Sequence, residues 1–262
     1  MEVYEHIDKD KLLAIKDLLV TETKPKGILI SIEGMQKCGK TEFGLSMPGN
    51  LFILNLNFGL AGVIEKHVAN GKSIYVQDIQ LPLSKDLPGQ AFTILSTAAA
   101  EQWRKAILSL QEALKADDIP NIFIDTASEL WELLRVARLG KLAQVIPVQY
   151  AVVNAEFRQL LQLLMCSKKN IVLSHKLRPE YVNDQKTNRF ERSGFGDVGF
   201  DVQVSLQASR DLKREGDDQC TLTFLDSRAN KNLRGEILTG KNATFLNVVK
   251  MVYPETTDAD WS

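Results

Sequence analysis

The chain has 262 residues, which is enough for one large α/β domain with small additions. Its 44% hydrophobic and 25% charged residues are close to the averages of soluble globular proteins, so the composition indicates neither a disordered chain nor a membrane protein. The formal net charge of −1 argues against nucleic-acid binding through overall positive charge, although a local basic surface stays compatible with it.

The amino terminus and the cysteines indicate the cellular compartment. The first residues, MEVYEHIDKDK, are too charged for a signal peptide, and no apolar run approaches the roughly 20 residues of a membrane-spanning helix. Cys38, Cys166 and Cys220 are far apart and form no C-x-x-C pair, so we expect reduced thiols. These features predict a cytoplasmic protein with no membrane partner.

Residues 1–26 have apolar side chains at helical spacing, and we interpret them as an N-terminal helical preface. From residue 27 to residue 252, strand-like and helical segments alternate, which predicts one core domain. Such alternation is typical of an α/β fold with a mostly parallel sheet flanked by helices. The predicted strands cover residues 28–32, 51–56, 73–76, 122–124 and 171–173, and the predicted helices start near Lys40 or cover residues 61–69, 97–115 and 157–165.

The pattern changes after His175. Residues 176–200 are charged, polar and glycine-containing without hydrophobic periodicity, which predicts a long functional loop. Strand patterns return at residues 202–208 and 220–225, around a charged connection, and predict a C-terminal antiparallel hairpin at the sheet edge. Residues 253–262 form an acidic tail whose composition fits either disorder or docking on another protein.

Residues 34–41 read GMQKCGKT, a complete G-x-x-x-x-G-K-T loop between a predicted strand and a predicted helix. Gly34 and Gly39 let the backbone turn tightly around a phosphate, and the loop amides supply hydrogen bonds. We expect Lys40 to contact the β- and γ-phosphates of ATP and Thr41 to bind Mg²⁺. The predicted nucleotide-binding residues are Gly34, Met35, Gln36, Lys37, Cys38, Gly39, Lys40, Thr41 and Glu42.

Two polar side chains end predicted strands farther along the chain. Asp125 ends the segment NIFID, a Walker B pattern whose carboxylate approaches the metal or its water; a helix cap is the alternative. His175 ends the segment IVLSH, where an imidazole can sense the γ-phosphate or only satisfy backbone groups. The predicted catalytic residues are Lys40, Asp125 and His175, and the predicted metal ligands are Thr41 and Asp125.

The sequence resembles the RecA-like phage single-strand annealing ATPases (Sak-type), an AAA-type nucleotide-binding family associated with DNA repair. The similar segments are GMQKCGKT, NIFIDT, NIVLSHK and SRANKNLRG. The resemblance implies a RecA-like P-loop NTPase core. It also implies a phage-encoded protein, acting in the bacterial host cytoplasm, that binds single-stranded DNA and promotes annealing or homologous recombination.

In that family the second core strand commonly ends in acidic residues, one of which orients the attacking water. The corresponding segment here is LFILNLNFG, in which Asn55 and Asn57 occupy the positions expected for carboxylates. An amide can bind water but cannot act as an ordinary general base, so we expect slow or assembly-dependent hydrolysis. The residues that could compensate are Glu33, Glu42 and Glu129.

The resemblance further implies partners. In a ring or filament of identical subunits, cations of one subunit reach the nucleotide of the next; the candidates are Arg228, Lys231 and Arg234, with a solvated loop as the alternative. A second set, on the loop at 176–200, forms either a single-stranded DNA surface or an ordinary surface or subunit contact: Lys176, Arg178, Lys186, Arg189 and Arg192. A single-strand DNA-binding protein or another replication protein is a further candidate partner.

Two other functions remain open at this point. A nucleotide-gated scaffold in phage replication or recombination fits Asn57, the near-neutral charge and the acidic tail, and it needs no efficient hydrolysis. A P-loop kinase acting on a small molecule would require an acceptor pocket and a cationic lid, neither of which the sequence identifies.

Overall fold

A computed structural model describes residues 25–69, 71–81, 91–140, 147–182, 185–211, 213 and 219–262. The predicted helical preface therefore lies almost wholly outside the described residues. The strands are β1 (Ile28–Gly34), β2 (Leu51–Asn55), β3 (Ile74–Asp78), β4 (Asn121–Asp125), β5 (Asn170–Val182), β6 (Gln185–Arg192), β7 (Val204–Arg210), β8 (Cys220–Ser227) and β9 (Ile237–Thr239). The α-helices are α1 (Lys40–Leu45), α2 (Ile64–Ala69), α3 (Ala91–Lys115), α4 (Ala127–Leu139), α5 (Tyr150–Met165), α6 (Val198–Asp201) and α7 (Phe245–Val252).

The strands form one mixed sheet in the order β3-β2-β4-β5-β1-β7-β8-β9, and β6 pairs only with β5. All pairings from β3 to β7 are parallel, whereas β7 with β8 and β8 with β9 are antiparallel. The predicted mostly parallel sheet with antiparallel C-terminal strands at its edge is confirmed. One strand, β5, lies between β1 and β4, and all three are parallel. Their carboxyl ends therefore lie side by side at the same end of the sheet.

Both faces of the central strands are covered, which is why β2 and β4 are buried along their whole length. Helices α3, α4 and α5 cover one face, which we call the α4 face, and helices α1 and α7 cover the other, the α1 face. Side chains alternate between the faces along a strand. On β5, Leu173 packs in the core of the α4 face and Val172 in the core of the α1 face. None of the helices in the described ranges has the length and apolar character needed to cross a bilayer.

The prediction of a long loop at residues 176–200 is wrong. Strand β5 continues to Val182, turns back into β6 and forms an antiparallel hairpin, and α6 follows. Most side chains of this hairpin beyond Lys176 are exposed or half-buried, so neither strand turns an apolar side toward the core. Without a buried face the segment has no hydrophobic alternation, and this is why its sequence resembles a loop.

The acidic tail is neither disordered nor free to dock elsewhere through its tryptophan. Trp261 is 1% exposed, and its ring packs edge-to-face on Phe245 with the centroids 6.3 Å apart. Its indole N–H donates to Thr256 Oγ1 at 3.0 Å, and its carbonyl accepts from Asn170 Nδ2 at 2.8 Å. Trp261 is therefore part of the hydrophobic core of the α1 face.

Replacing Trp261 with alanine is expected to lower the free energy of unfolding by about 3–5 kcal/mol, because a fully buried aromatic side chain leaves a cavity. Chemical denaturation of wild type and Trp261→Ala measures this loss. The matched control is Tyr75→Ala, which removes an aromatic side chain that is 46% exposed. Equal destabilisation by both substitutions would show that Trp261 is not part of the core.

Candidate nucleotide site

The phosphate loop connects the end of β1 to the start of α1. A Cβ atom on Gly34 would lie 2.4 Å from the Ala208 carbonyl oxygen and 2.7 Å from Cys38 Sγ, so only glycine fits there. Gly39 has φ of +95°, a left-handed conformation that glycine adopts without strain. Met35, Gln36 and Lys37 are exposed, whereas Cys38 is buried. The backbone thus turns tightly at Gly34 and Gly39, as a phosphate-binding loop requires.

The Lys40 ammonium lies within this loop. Its Nζ donates to the carbonyl oxygens of Gly34 at 2.8 Å and Met35 at 2.6 Å, and it lies 3.6 Å from Cys38 Sγ. A cation held against the loop backbone is placed to attract the negative charge of a phosphate group. The geometry of the loop therefore fits the role expected of Lys40.

Thr41 and Asp125 come together across the sheet edge. Thr41 Oγ1 donates to Asp125 Oδ2 at 3.1 Å, and Ser174 Oγ donates to Asp125 Oδ1 at 2.6 Å. The helix-cap role is taken by the next residue, Thr126, whose hydroxyl accepts from the Glu129 N–H at 3.2 Å. Asp125 is thereby left facing the hydroxyl of the phosphate loop.

Asp125 is 1% exposed, and burial raises the pKa of its carboxyl group. Hydrogen bonds from Ser174 and Thr41 and the positive charge of Lys40 act in the opposite direction. A buried carboxylate beside a hydroxyl is a suitable pair of oxygens for Mg²⁺, which keeps further ligands from phosphates and water. In the described part of the chain, no three His, Cys, Asp or Glu side chains cluster as a separate metal site.

His175 does not lie on the Thr41 side of the sheet. Because side chains alternate, Ser174 points to the α1 face and touches Asp125, while His175 points to the α4 face. The ring is 1% exposed and neither nitrogen has a hydrogen-bond partner. Burial, with the nearby charges of Arg192 and Lys40, holds the pKa of His175 well below its usual range, so the ring is neutral. Sequence reasoning chose the correct strand end but missed Ser174.

The two asparagines that replace the expected carboxylates have different surroundings. Asn55 is buried, donates from Nδ2 to Asp78 Oδ1 at 2.6 Å and accepts from the Phe58 N–H at 3.1 Å. Asn57 is exposed, and its amide lowers the pKa of the Asp125 carboxyl group slightly. Of the two amides, Asn57 is therefore the one that acts on Asp125.

All three compensating carboxylates already have a partner. Glu33 pairs with Arg192 at 2.8 Å in a contact where both side chains are nearly buried, at 13% and 12% exposure. Glu129 pairs with the Lys176 ammonium, and Glu42 lies 2.9 Å from His67 Nε2. Glu33 and Glu129 are therefore in ion pairs, and the three contacts differ in how easily they can open.

The candidate DNA-contacting residues separate into two groups. Arg192 and Lys176 lie at the base of the hairpin and pair with carboxylates next to the nucleotide site. Arg178 pairs on the surface with Glu191 at 2.8 Å, and Lys186 and Arg189 are exposed on β6. Arg178, Lys186 and Arg189 are thus accessible to a nucleic acid, whereas the Arg192 guanidinium is nearly buried against Glu33.

Of the candidate trans cations, Arg228 lies at the end of the sheet opposite the phosphate loop. Strand β8 runs antiparallel to β7, so its end at Ser227 meets the beginning of β7, and the Arg228 guanidinium contacts the Phe200 carbonyl oxygen. The chain then turns back along β8, where the N–H of Gly235 donates to the Phe224 carbonyl oxygen. Arg228, Lys231 and Arg234 are all exposed.

The strand order, the glycine loop and the Thr41–Asp125 contact define a P-loop NTPase domain of RecA-like topology with a nucleotide-binding site. The chain belongs to the AAA domain family, whose model matches residues 26–199. No curated protein sequence matches the chain significantly.

Solved structures with a similar fold include three bacterial and archaeal proteins. A prototypical ATPase of the type III secretion system of pathogenic bacteria is 13% identical, with a TM-score of 0.44 over 71% of this chain and 52% of its own. The type III secretion ATPase EscN of enteropathogenic E. coli is 14% identical, with a TM-score of 0.40 over 70% of this chain and 43% of its own. The flagellar accessory protein FlaH of Methanocaldococcus jannaschii is 12% identical, with a TM-score of 0.36 over 81% and 82%. The match thus spans about half the length of the first two proteins.

Proposed function

We propose that this protein is an ATP- and Mg²⁺-binding, RecA-like ATPase that binds single-stranded DNA and promotes annealing or homologous recombination. The observation that carries the proposal is the hairpin β5–β6, which projects an aromatic and basic surface and is joined at its base to the nucleotide site.

At the nucleotide site, the residues have separate tasks. The loop backbone and Lys40 bind the β- and γ-phosphates, and Thr41 and Asp125 hold Mg²⁺. Ser174 keeps the Asp125 carboxylate in place through a hydrogen bond. Bound Mg²⁺ supplies charge neutralisation at the phosphates.

The two faces of the hairpin differ in charge near its base. Residues paired across an antiparallel ribbon point to the same side, and there one side holds the pairs Leu177–Arg192 and Pro179–Phe190 while the pair Arg178–Glu191 points to the other. The register shifts between Pro179 and Tyr181, and the pairs Tyr181–Lys186 and Val182–Gln185 follow this shift. Glu191 therefore lies on the side away from the Phe190 ring, although acids nearly offset bases along the sequence.

The exposed aromatic rings of the hairpin suit single-stranded DNA. Tyr181 is 62% exposed and Phe190 is 50% exposed, so both rings are available for stacking on bases, and Lys186 adds a cation for the backbone. Stacking tolerates any base, and phosphate contacts carry no sequence information, so we expect binding without sequence preference.

The Glu33–Arg192 ion pair connects this surface to the nucleotide. Glu33 immediately precedes Gly34 in the phosphate loop, and Arg192 is the last residue of β6. We propose that nucleotide binding adjusts the hairpin through this contact. In the same proposal the protein is a homo-oligomer, in which Lys231 and Arg234 reach the phosphates of a neighbouring subunit and a continuous groove holds the DNA.

The test is the binding of a fluorescent oligodeoxythymidine in the presence of Mg²⁺-ATP. Removing both hairpin rings with Tyr181→Ala and Phe190→Ala is expected to weaken DNA binding at least tenfold, because each stacked ring contributes about 1–3 kcal/mol. ATP affinity should stay unchanged. The control Tyr75→Ala removes an exposed tyrosine of β3 and should bind DNA normally. Wild-type protein that binds no DNA, or equal losses in control and double variant, would contradict the DNA proposal.

One observation favours a second function, a nucleotide-gated scaffold without efficient hydrolysis. Asn57 is the exposed amide that acts on Asp125, at the place where the resemblance expects a carboxylate, and an amide is no general base. A scaffold would bind ATP and capture a replication protein without releasing phosphate. Single-turnover phosphate release from the wild-type protein separates the two functions.

A further inference from the structure

The ion pair between Glu129 and Lys176 spans the ends of two strands beside Asp125. Glu129 lies in the first turn of α4, directly after β4, and Lys176 lies two residues beyond Ser174 on β5. The Cα of Lys176 is paired with that of Gly34, where the phosphate loop begins. A line of polar groups therefore runs from the phosphate loop over β5 to α4.

Hydrogen bonds fix the backbone and the carboxylate of this pair. The Thr126 hydroxyl donates to Glu129 Oε2 at 3.0 Å, and the Lys176 N–H donates to Ser128 Oγ at 3.0 Å. Thr126 follows Asp125, the proposed metal ligand, directly. The Glu129 carboxylate is therefore hydrogen-bonded to the immediate neighbour of Asp125. The Glu129 side chain is 19% exposed, which leaves it accessible to a water molecule.

The other two carboxylates are held differently. Glu33 points to the α4 face, and both Nε and Nη2 of Arg192 lie within 2.9 Å of its Oε2, in a nearly buried pair with a permanently charged partner. Glu42 is 50% exposed and binds His67 of α2. The partner of Glu129 is a lysine that is 47% exposed, a mobile point charge that can turn to another anion.

Resting on the proposed ATPase function, we propose that Glu129 is the general base for ATP hydrolysis and that Lys176 restrains it until the γ-phosphate draws the ammonium away. Water then attacks the γ-phosphorus and gives a proton to the Glu129 carboxylate. The bond from the γ-phosphorus to the bridging oxygen breaks, its electron pair leaves with ADP, and inorganic phosphate forms. Glu129 releases its proton to solvent, and Asn57 needs only to position Asp125.

A structural role for Glu129 makes a different prediction. The Thr126 hydroxyl caps the first turn of α4 by accepting from the Glu129 N–H, and it donates to Glu129 Oε2, a bond that the amide oxygen of glutamine can also accept. Glu129→Gln therefore preserves the cap and removes the proton acceptor together with the charge that pairs with Lys176. The control is Glu132→Gln, one helical turn along α4, which loses an ion pair with Arg135 away from the phosphate loop.

The experiment measures phosphate release in a single turnover, the affinities for fluorescent ATP and ADP analogues, and the thermal unfolding midpoint. Glu129→Gln should slow phosphate release at least a hundredfold, with unchanged stability and with ATP binding equal to or tighter than wild type. Lys176→Met should weaken ATP binding about tenfold and leave ADP binding unchanged.

Other results would overturn the assignment. A Glu129→Gln rate within threefold of wild type removes Glu129 as the base, and so does wild-type protein that binds ATP but releases no phosphate. Equal weakening of ATP and ADP binding by Lys176→Met removes the contact with the γ-phosphate. Failure of the nucleotide site itself is distinguishable, because the wild-type protein would then bind neither analogue.

Discussion

Lys40→Ala is expected to lower the affinity for Mg²⁺-ATP about a hundredfold. The ammonium is held inside the phosphate loop by the carbonyl oxygens of Gly34 and Met35, where we propose that it binds the β- and γ-phosphates. Charge-assisted hydrogen bonds contribute about 1.5–3 kcal/mol each, and alanine leaves the carbonyls facing a phosphate without a cation between them. Isothermal titration calorimetry measures the change.

The matched control for this experiment is Lys250→Ala. Lys250 of α7 forms an exposed ion pair with Asp258, and such a pair contributes little to stability. The control should bind ATP like the wild type, and both variants should unfold near the wild-type midpoint. Unchanged ATP affinity in Lys40→Ala would mean that nucleotide binds elsewhere on the protein.

Asp125→Asn is expected to change stability in opposite directions with and without ligand. Burial raises the pKa of Asp125, so the fold favours the protonated carboxyl, and the ionised carboxylate lowers the free energy of unfolding at neutral pH. Asparagine removes that buried charge and should raise the midpoint of the free protein by a few degrees. Mg²⁺-ATP should then add far less stabilisation than it adds to wild type, because asparagine brings no negative charge to the ion.

The pH dependence of unfolding without Mg²⁺ tests the sign of this effect. A raised pKa in the folded state makes a contribution to stability that is complete at low pH and is lost as pH rises through the interval between the unfolded and folded pKa values. Wild type should lose stability across that interval, and Asp125→Asn should lose less. A variant that is less stable than wild type at every pH would show that Asp125 is stabilised rather than strained by its surroundings.

The sequence predicts the phosphate loop, the parallel core and the strand end at Asp125 because each depends on local patterns. Gly34, Gly39 and Lys40 all lie within residues 34–41, so a short stretch of sequence identifies the loop. The buried strands are short, mostly apolar runs. The hairpin after His175 escapes prediction because a ribbon exposed on both sides has no buried face to produce a period. The burial of Trp261 escapes it because an acidic, turn-rich tail gives no sign of its contacts with Phe245 and Asn170.

The side-chain arrangement at the site depends on register and on long-range contacts. Asp125 touches Ser174 and not His175 because β4 and β5 are in a particular register, which no local pattern specifies. The Glu129–Lys176 and Glu33–Arg192 pairs join residues that are far apart in sequence, so the signs of their charges alone cannot identify them. Both Lys176 and Arg192 consequently lie beside the phosphate loop, although composition places them in a candidate DNA surface.

The central claim is that one nucleotide site governs a DNA-binding hairpin, and the affinity for labelled single-stranded DNA with and without Mg²⁺-ATP tests it most directly. We expect ATP to raise the DNA affinity of wild type at least tenfold and to leave that of Lys40→Ala unchanged. By linkage, DNA should raise the ATP affinity of wild type by the same factor. Identical DNA affinity with and without ATP in the wild-type protein would contradict the account.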